Sequence, residues 1–374
     1  MGILTTQPAK AIWTLVAIAI GAVKLPFWLV YYLPSATRPH PAWSYKQSIL
    51  VQIIKSFLWN AAMVQMQTPL SLLPQAEKER WVVVEPASQP SYIRVAIADP
   101  DIKPENVGGT WYPAKPSLTG KPGIVVLHFH GGAYVIGDGR TKDAGFAAKT
   151  LIANTDATHV FAPQYRLSSN KGCRFPAALQ DAITTYAYLV KKEGISPDKI
   201  VLSGDSAGAN LALSLTRYLT ENGDQVGLDT PLATWLWSPW VSPAGSLTHE
   251  GFNSSPNIST DYITAAFGQW GAQTYQPNPK SGITLDHPYI NFAKHAFSTP
   301  VPIYVSTGEC EVLFHDDVKL AEDMKSVKGN VVELQIEEHA VHDTILTGAI
   351  MGFEKEAVKG AKRAGEFLRK VNRG

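Results

Sequence analysis

A serine sits at the apex of Gly204-Asp205-Ser206-Ala207-Gly208, between the apolar run Ile200-Val201-Leu202 and a helix-like stretch that opens at Ala209. Glycines two before and two after the serine let neighbouring turns pass close together. The strained strand-to-helix turn lifts the hydroxyl clear of the sheet. A serine hydroxyl attacks well only when a base takes its proton, an acid holds the base, and main-chain N–H groups face the oxygen that becomes negative. Upstream, the apolar run Ile124-Val125-Val126-Leu127 leads through His128-Phe129 into His130-Gly131-Gly132-Ala133. Two glycines after a buried strand let the main chain approach such an oxygen, which makes Gly131, Gly132 and Ala207 the expected donors, with Ala133 as a further one.

Two more motifs stand between these in order: His159-Val160-Phe161-Ala162-Pro163-Gln164-Tyr165-Arg166-Leu167 and Arg174-Phe175-Pro176-Ala177-Ala178-Leu179-Gln180-Asp181. With the glycine loop and the serine pentapeptide they resemble the hormone-sensitive-lipase-like family of α/β-hydrolase-fold esterases. The likeness is continuous from about Pro122 to Gly208 and looser to His342. Leu25-Pro26-Phe27-Trp28 and Arg38-Pro39-His40-Pro41 resemble a fungal branch containing steryl-acetyl-hydrolase-like proteins and secondary-metabolite hydrolases.

The resemblance implies an α/β-hydrolase fold: a mostly parallel eight-stranded sheet flanked by helices, with a helical cap. It places the acid and the histidine on loops after late strands. His342, followed by Asp343, matches the family's base, and His339 is the competitor in the same loop. Relatives carry an aspartate where Glu311 falls, in Glu311-Val312-Leu313; a glutamate is one methylene longer and still reaches an imidazole N–H. Glu309, Asp316 and Asp317 are the alternatives, readable as charge at the start of a helix from about Leu313, where carboxylates favour the positive end. Arg166 and Asp181 read as a structural ion pair.

Strand patterns cover Trp81–Val84, Tyr92–Ile97, Gly109–Tyr112, Ile124–His128, His159–Pro163, Ile200–Ser203, Thr234–Trp237, Ile303–Thr307 and Val331–Ile336. Helical patterns cover Lys142–Ala153, Pro176–Lys192, Ala207–Thr220, Leu313–Val327 and Thr344–Val371. Alternation of the two argues for a parallel sheet with its site at the strands' carboxyl ends. The stretches 38–79 and 241–299 lack clean periodicity and are expected to cap a main domain of 38–374. Trp235, Trp237 and Trp240 read as core strand and pocket wall.

Residues 1–37 form a hydrophobic segment. From Ile12 to Leu33 the chain is apolar except for Thr14 and Lys24, close to the ~20 residues a bilayer crossing needs. Aromatic residues lie towards its ends, as at a membrane interface. Lys24 and Pro26 weigh against a span, leaving a signal peptide, an interfacial helix and a buried cap helix as other readings. Membrane attachment is the expectation, with a lumenal catalytic domain in the endoplasmic reticulum. The sequons at Asn253 and Asn257 fit that placement.

A net charge of +1 gives no reason to invoke nucleic acid, and two cysteines, Cys173 and Cys310, make neither a disulfide scaffold nor a zinc site. No cofactor motif is present. The expected reaction is hydrolysis of an acetyl or short acyl ester of an apolar alcohol. The resemblance also admits condensation or cyclisation of a polyketide-like substrate, and a ligand-binding protein on a dead hydrolase.

Overall fold

The computed structural model describes residues 2–88, 90–116 and 122–372. Eight strands build one sheet: β1 (Trp81–Val84), β2 (Val107–Tyr112), β3 (Ile124–Phe129), β4 (Ala157–Gln164), β5 (Ile200–Asp205), β6 (Ala233–Trp237), β7 (Ile303–Gly308) and β8 (Val332–Glu337). Their order is β1-β2-β4-β3-β5-β6-β7-β8; β1 and β2 pair antiparallel, and the six strands from β4 to β8 run parallel. Strands buried on both faces read as continuous apolar runs, and β3, β5 and β6 do so.

Ten α-helices accompany the sheet among the described residues: α1 (Ala9–Tyr31), α2 (Tyr45–Met63), α3 (Thr141–Asn154), α4 (Ala177–Ala187), α5 (Ala207–Val226), α6 (Glu250–Asn253), α7 (Ala265–Tyr275), α8 (Phe314–Ser326), α9 (Thr344–Met351) and α10 (Glu354–Val371). On one face, Ala144, Ala147 and Leu151 of α3 and Ala361, Ala364 and Phe367 of α10 bury against Val126, Val201, Trp235 and Tyr304. On the other, α4, α5 and α8 cover Leu127, Leu202, Leu236 and Val305. Small residues on α3 and α10 bring those helices close to the sheet.

The register fixes where chemistry emerges. Phe129 pairs with Gly204, Asp205 with Trp237, and Trp237 with Ser306, so the carboxyl ends of β3, β5, β6 and β7 finish level with one another. The loops carrying His130, Ser206, Ser238 and Glu309 leave from that common edge.

Two expectations need correction. Tyr92–Ile97 is no strand: Ile93 N donates to Tyr218 Oη, Ala96 O accepts from Gln180 Nε2, and Arg94 to Ile97 form a 3-10 turn in which Ala96 N donates to Ile93 O. Apolar alternation mimicked a strand because the segment lies along α4 and α5. The last helix is also broken: Gly352 takes a left-handed conformation at φ +85°, ends α9, and Phe353 starts α10 on a new axis.

The N-terminal helices form an antiparallel hairpin. Lys10 Nζ donates to Gln65 O at 3.4 Å, Tyr45 Oη donates to Leu29 O at 2.7 Å, and the Trp13 and Trp59 rings lie 5.9 Å apart. A capping box between Ser44 and Gln47 starts α2, which packs on α7 and α9. α1 is long and apolar enough to cross a membrane, with a mean hydropathy of 1.8 over its most apolar window, and none of that window is buried.

Candidate active site

Ser206 sits where β5 becomes α5, with φ 53° and ψ −116°. A side chain at positive φ is strained and persists only where surroundings dictate it. Here Ser206 N donates to Trp237 O at 2.8 Å, and Ser206 O accepts from Trp240 N at 3.0 Å. Gly208 is required, because a Cβ there would be driven into the Phe129 carbonyl oxygen.

The glycine loop after β3 is strained as well, with Gly132 at φ +106°, Ala133 at 52° and Tyr134 at 62°. The Gly131 amide, expected among the oxyanion donors, is already engaged: it donates to Asp205 Oδ2 at 2.5 Å. Its role is therefore to fix the loop to the serine turn. The amides of Gly132, Ala133 and Ala207 have no acceptor among the described residues.

His342 lies between β8 and α9, 1% exposed, and its Nδ1 stands 2.9 Å from Oε2 of the fully buried Glu311. With Nδ1 occupied by a carboxylate, Nε2 is the nitrogen left for proton transfer; it has no hydrogen-bond partner among the described residues, and neither has Ser206 Oγ. Burial pulls the imidazole pKa down, but the contact with Glu311 and its charge outweigh this, and the ring's pKa lies above its ordinary value. Burial pushes the Glu311 carboxyl up and His342 overrides it, so the pKa is lowered.

The other acids divide by environment. Thr307 Oγ1 donates to Glu311 Oε1, and also lies 2.8 Å from Asp317 Oδ2. Burial and the neighbouring Glu311 charge hold the Asp317 pKa well above the ordinary carboxylate range, so it is a protonated neighbour. Glu309 meets His339, Nδ1 to Oε2 at 3.1 Å, on the half-exposed rim. The structure thus brings Glu311 to His342 and pairs the two competing residues with each other.

Beneath the serine lies a buried group centred on Asp205, of which sequence reasoning missed His128. Asp205 accepts from Gly131, and its Oδ1 stands 3.0 Å from Nε2 of His128, which is fully buried. His128 Nδ1 is 3.0 Å from Ser203 Oγ, and Trp237 Nε1 donates to that same oxygen at 3.0 Å. Asp343 completes the cluster: burial and the Asp205 charge raise its pKa well above the ordinary range, so Asp205 carries the charge and Asp343 the proton. Only the buried position of His128 within a strand signalled it, and buried histidines are common.

The segment 255–261 wraps the acid loop. Asn257 Nδ2 donates to Glu309 O and Glu311 O, Thr260 Oγ1 to Cys310 O, and Ser255 Oγ to Val312 O. Asp261 Oδ2 accepts from Val312 N at 2.8 Å, and burial raises its pKa to about 6. Tyr262 lays its ring 5.8 Å from that of His342. Asn253 is exposed, whereas the Asn257 amide is spent inside the protein, so a glycan on it would break these bonds. Arg166 grips Asp181 through Nε and Nη2 at 2.8–3.0 Å, a buried brace away from the serine.

Comparison with known proteins gives the ancestry. Residues 126–346, more than half of the chain, match the family model described as alpha/beta hydrolase fold. An acetyl-hydrolase of Streptomyces hygroscopicus is 28% identical over 57% of this chain, and the match spans 65% of that relative, just under two thirds of its length. Esterase LipU of Mycobacterium tuberculosis is 28% identical over 66% of this chain and 77% of its own. Among solved structures, the Pyrobaculum calidifontis esterase superposes with a TM-score of 0.62 at 19% identity, covering 87% of this chain and 97% of its own. An esterase from the bacterial hormone-sensitive lipase family gives 0.60 at 21%, covering 88% and 99%. Those likenesses are of fold. By the family match and the sheet that carries it, the chain belongs to the alpha/beta hydrolase fold family.

Proposed function

We propose that this protein is a serine carboxylic-ester hydrolase in which Ser206 is the nucleophile, His342 the general base and Glu311 the acid. The observation that carries this reading is the 2.9 Å contact of His342 Nδ1 with the buried Glu311 carboxylate, in a loop following the last strand. The acetyl-hydrolase, esterase and ethyl acetate hydrolase names of its relatives support an ester substrate. The strained serine and the unpaired amides of Gly132, Ala133 and Ala207 suit acyl transfer.

In this mechanism His342 Nε2 takes the proton of Ser206 Oγ as the oxygen attacks the ester carbonyl. The negative oxygen is received by the amides of Gly132, Ala133 and Ala207. His342 then gives its proton to the departing alcohol, breaking the ester C–O bond and leaving an acyl-serine. Water, deprotonated by His342, attacks the acyl carbon, and the collapse returns the proton to Ser206 Oγ and releases the acid. Glu311 holds the ring and stabilises its charged form.

The substrate favoured is an acetyl or short acyl ester of an apolar alcohol. α2 and the 241–299 segment, which packs around His342, act as the cap that selects it, and the apolar α1 attaches the enzyme to a membrane. The fungal-branch reading rests on the Leu25–Trp28 and Arg38–Pro41 motifs, and steryl acetates are its discriminating substrates.

A fluorophosphonate probe tests the nucleophile. Wild-type protein is expected to become covalently labelled at Ser206, and Ser206→Ala to lose the label. A folded wild-type protein that is not labelled and does not hydrolyse p-nitrophenyl acetate overturns the hydrolase reading.

A further inference from the structure

The connector that joins α1 to α2, residues 32–44, reaches the loop of the histidine. Trp43 is buried, and its Nε1 donates to His339 O at 2.6 Å, across 296 positions of sequence. Its ring stands edge-on to that of Phe353, 5.6 Å away, where α10 begins. In the first turn of α2, Gln47 Nε2 donates to Gly352 O at 2.9 Å. The lead-in to α2 therefore holds α9 at both ends, at the loop that enters it and at the glycine that closes it. Trp43 is itself fixed, since its carbonyl oxygen accepts from Arg38 Nη1 at 2.9 Å.

The entering loop is the part that needs holding. His339 takes φ +59° without being a glycine, a conformation that persists only where its surroundings dictate it. Its amide donates to Glu309 Oε2 at 2.8 Å, a carboxylate on the exposed rim that water also reaches. Its carbonyl has the buried indole. His342 follows three residues later, and its ring has one hydrogen-bond partner among the described residues, Oε2 of Glu311. Where Nδ1 meets that oxygen thus depends on the path of the main chain from His339.

We infer that Trp43 is a positioning residue for the base: by gripping the main chain at His339 it keeps His342 Nδ1 in register with Glu311. This rests on the reading of His342 as the base, and adds to it a contribution from the N-terminal part of the chain. His40 supports the same place, with its ring 4.8 Å from that of His339.

Trp43→Phe removes the N–H and leaves a ring against Phe353. In the full-length protein kcat for p-nitrophenyl acetate should fall about three- to tenfold, the worth of one hydrogen bond, with KM unchanged. The acid-limb midpoint of kcat/KM should move to lower pH. A looser contact with Glu311 raises the His342 pKa less, while burial still lowers it and the other carboxyls facing the ring, Asp261 and Asp205, stay in place. With Glu311→Gln already present, Trp43→Phe should move the midpoint no further. Incorporating benzothienylalanine at position 43 keeps both fused rings and puts sulfur where the N–H was. It should reproduce the loss of kcat and the shift with a Tm within a few degrees of wild type, and it decides the matter if the phenylalanine variant does not fold. An unmoved midpoint in a folded variant, even with kcat reduced, overturns the inference, as does a shift that persists beside Glu311→Gln. A wild-type protein that no fluorophosphonate labels would instead remove the base reading, and this inference with it.

Discussion

Asn257 grips the main-chain oxygen of Glu311 at 2.9 Å, and the same amide nitrogen reaches the oxygen of Glu309 at the same distance. The loop presenting the acid is therefore fixed by a residue more than 50 positions earlier in the chain. Asn257→Ala removes both bonds and touches nothing in the serine turn. It should lower kcat/KM for p-nitrophenyl acetate about tenfold, on the order of one well-placed hydrogen bond, with a KM that hardly moves. Unchanged kcat would mean that the loop holds itself. Expression in a glycosylating host gives a second readout: intact-mass analysis should find no glycan on Asn257, whereas the exposed Asn253 is free to accept one.

The pH profile follows from the direction of the His342 shift. A general base works when neutral, and the raised pKa means that the imidazole stays protonated beyond its ordinary 6.5. The acid limb of kcat/KM should thus have its midpoint above 6.5, with activity lost as pH falls through it. Glu311→Gln removes the interaction that raises the pKa while burial, which lowers it, remains. The midpoint should move to lower pH and the plateau fall about 10⁴-fold, as when a triad acid becomes its amide. Glu309→Gln should do neither, since Glu309 faces His339. If Glu309→Gln were the more damaging change, the acid has been misassigned.

Much of this was legible in the sequence because it is local. The serine pentapeptide and the glycine loop each sit at the carboxyl end of a strand recognisable as an apolar run, and the final histidine follows a strand recognisable by alternation, Val332–Glu337. Chain order then supplies the rest. The Tyr92–Ile97 segment misled because apolar alternation reports burial on one side, and side chains of α4 and α5 can provide that as well as a sheet can. The Gly131 amide was misread for a different reason: a loop glycine announces close approach but not to which atom, and only the fold brings Asp205 there. His128 and Asp261 carry no spacing signal at all, because their partners lie 77 and 51 residues away.

The Asp205–Asp343 pair makes a prediction from the division of one proton. Asp343 is the protonated member, so an amide at that position is close to an isostere of the state already present. Asp343→Asn should therefore retain activity within about threefold and keep its Tm. Asp205 carries the charge that faces His128 and accepts the Gly131 amide. An amide there removes that charge and leaves a single oxygen to accept from Gly131, and Asp205→Asn should cost about 1–3 kcal/mol of stability, as buried groups that lose their partners do, and lower kcat through the glycine loop. Thermal denaturation with activity on the same samples separates the two. Equal damage from both substitutions would show that the proton is not held on Asp343.

Removal of α1 tests the membrane assignment against packing. No residue of α1 is buried, and its links to the rest of the chain include single hydrogen bonds at either end of the hairpin, Lys10 to Gln65 and Tyr45 to Leu29. A helix that contributes no buried side chain adds little to the core, so a chain starting at Arg38 should keep its Tm within a few degrees and its hydrolysis of soluble esters. What it loses is the apolar surface that water disfavours, and it should pass from the vesicle-bound to the soluble fraction on flotation. α2 exposes Ile53, Phe57 and Trp59 at 38–48% with α1 in place, and removing α1, whose Trp13 ring packs on Trp59, uncovers more of that face. A truncated protein that still floats would move the attachment to α2 and the cap, while a full-length protein found soluble would remove the membrane from the description of this protein.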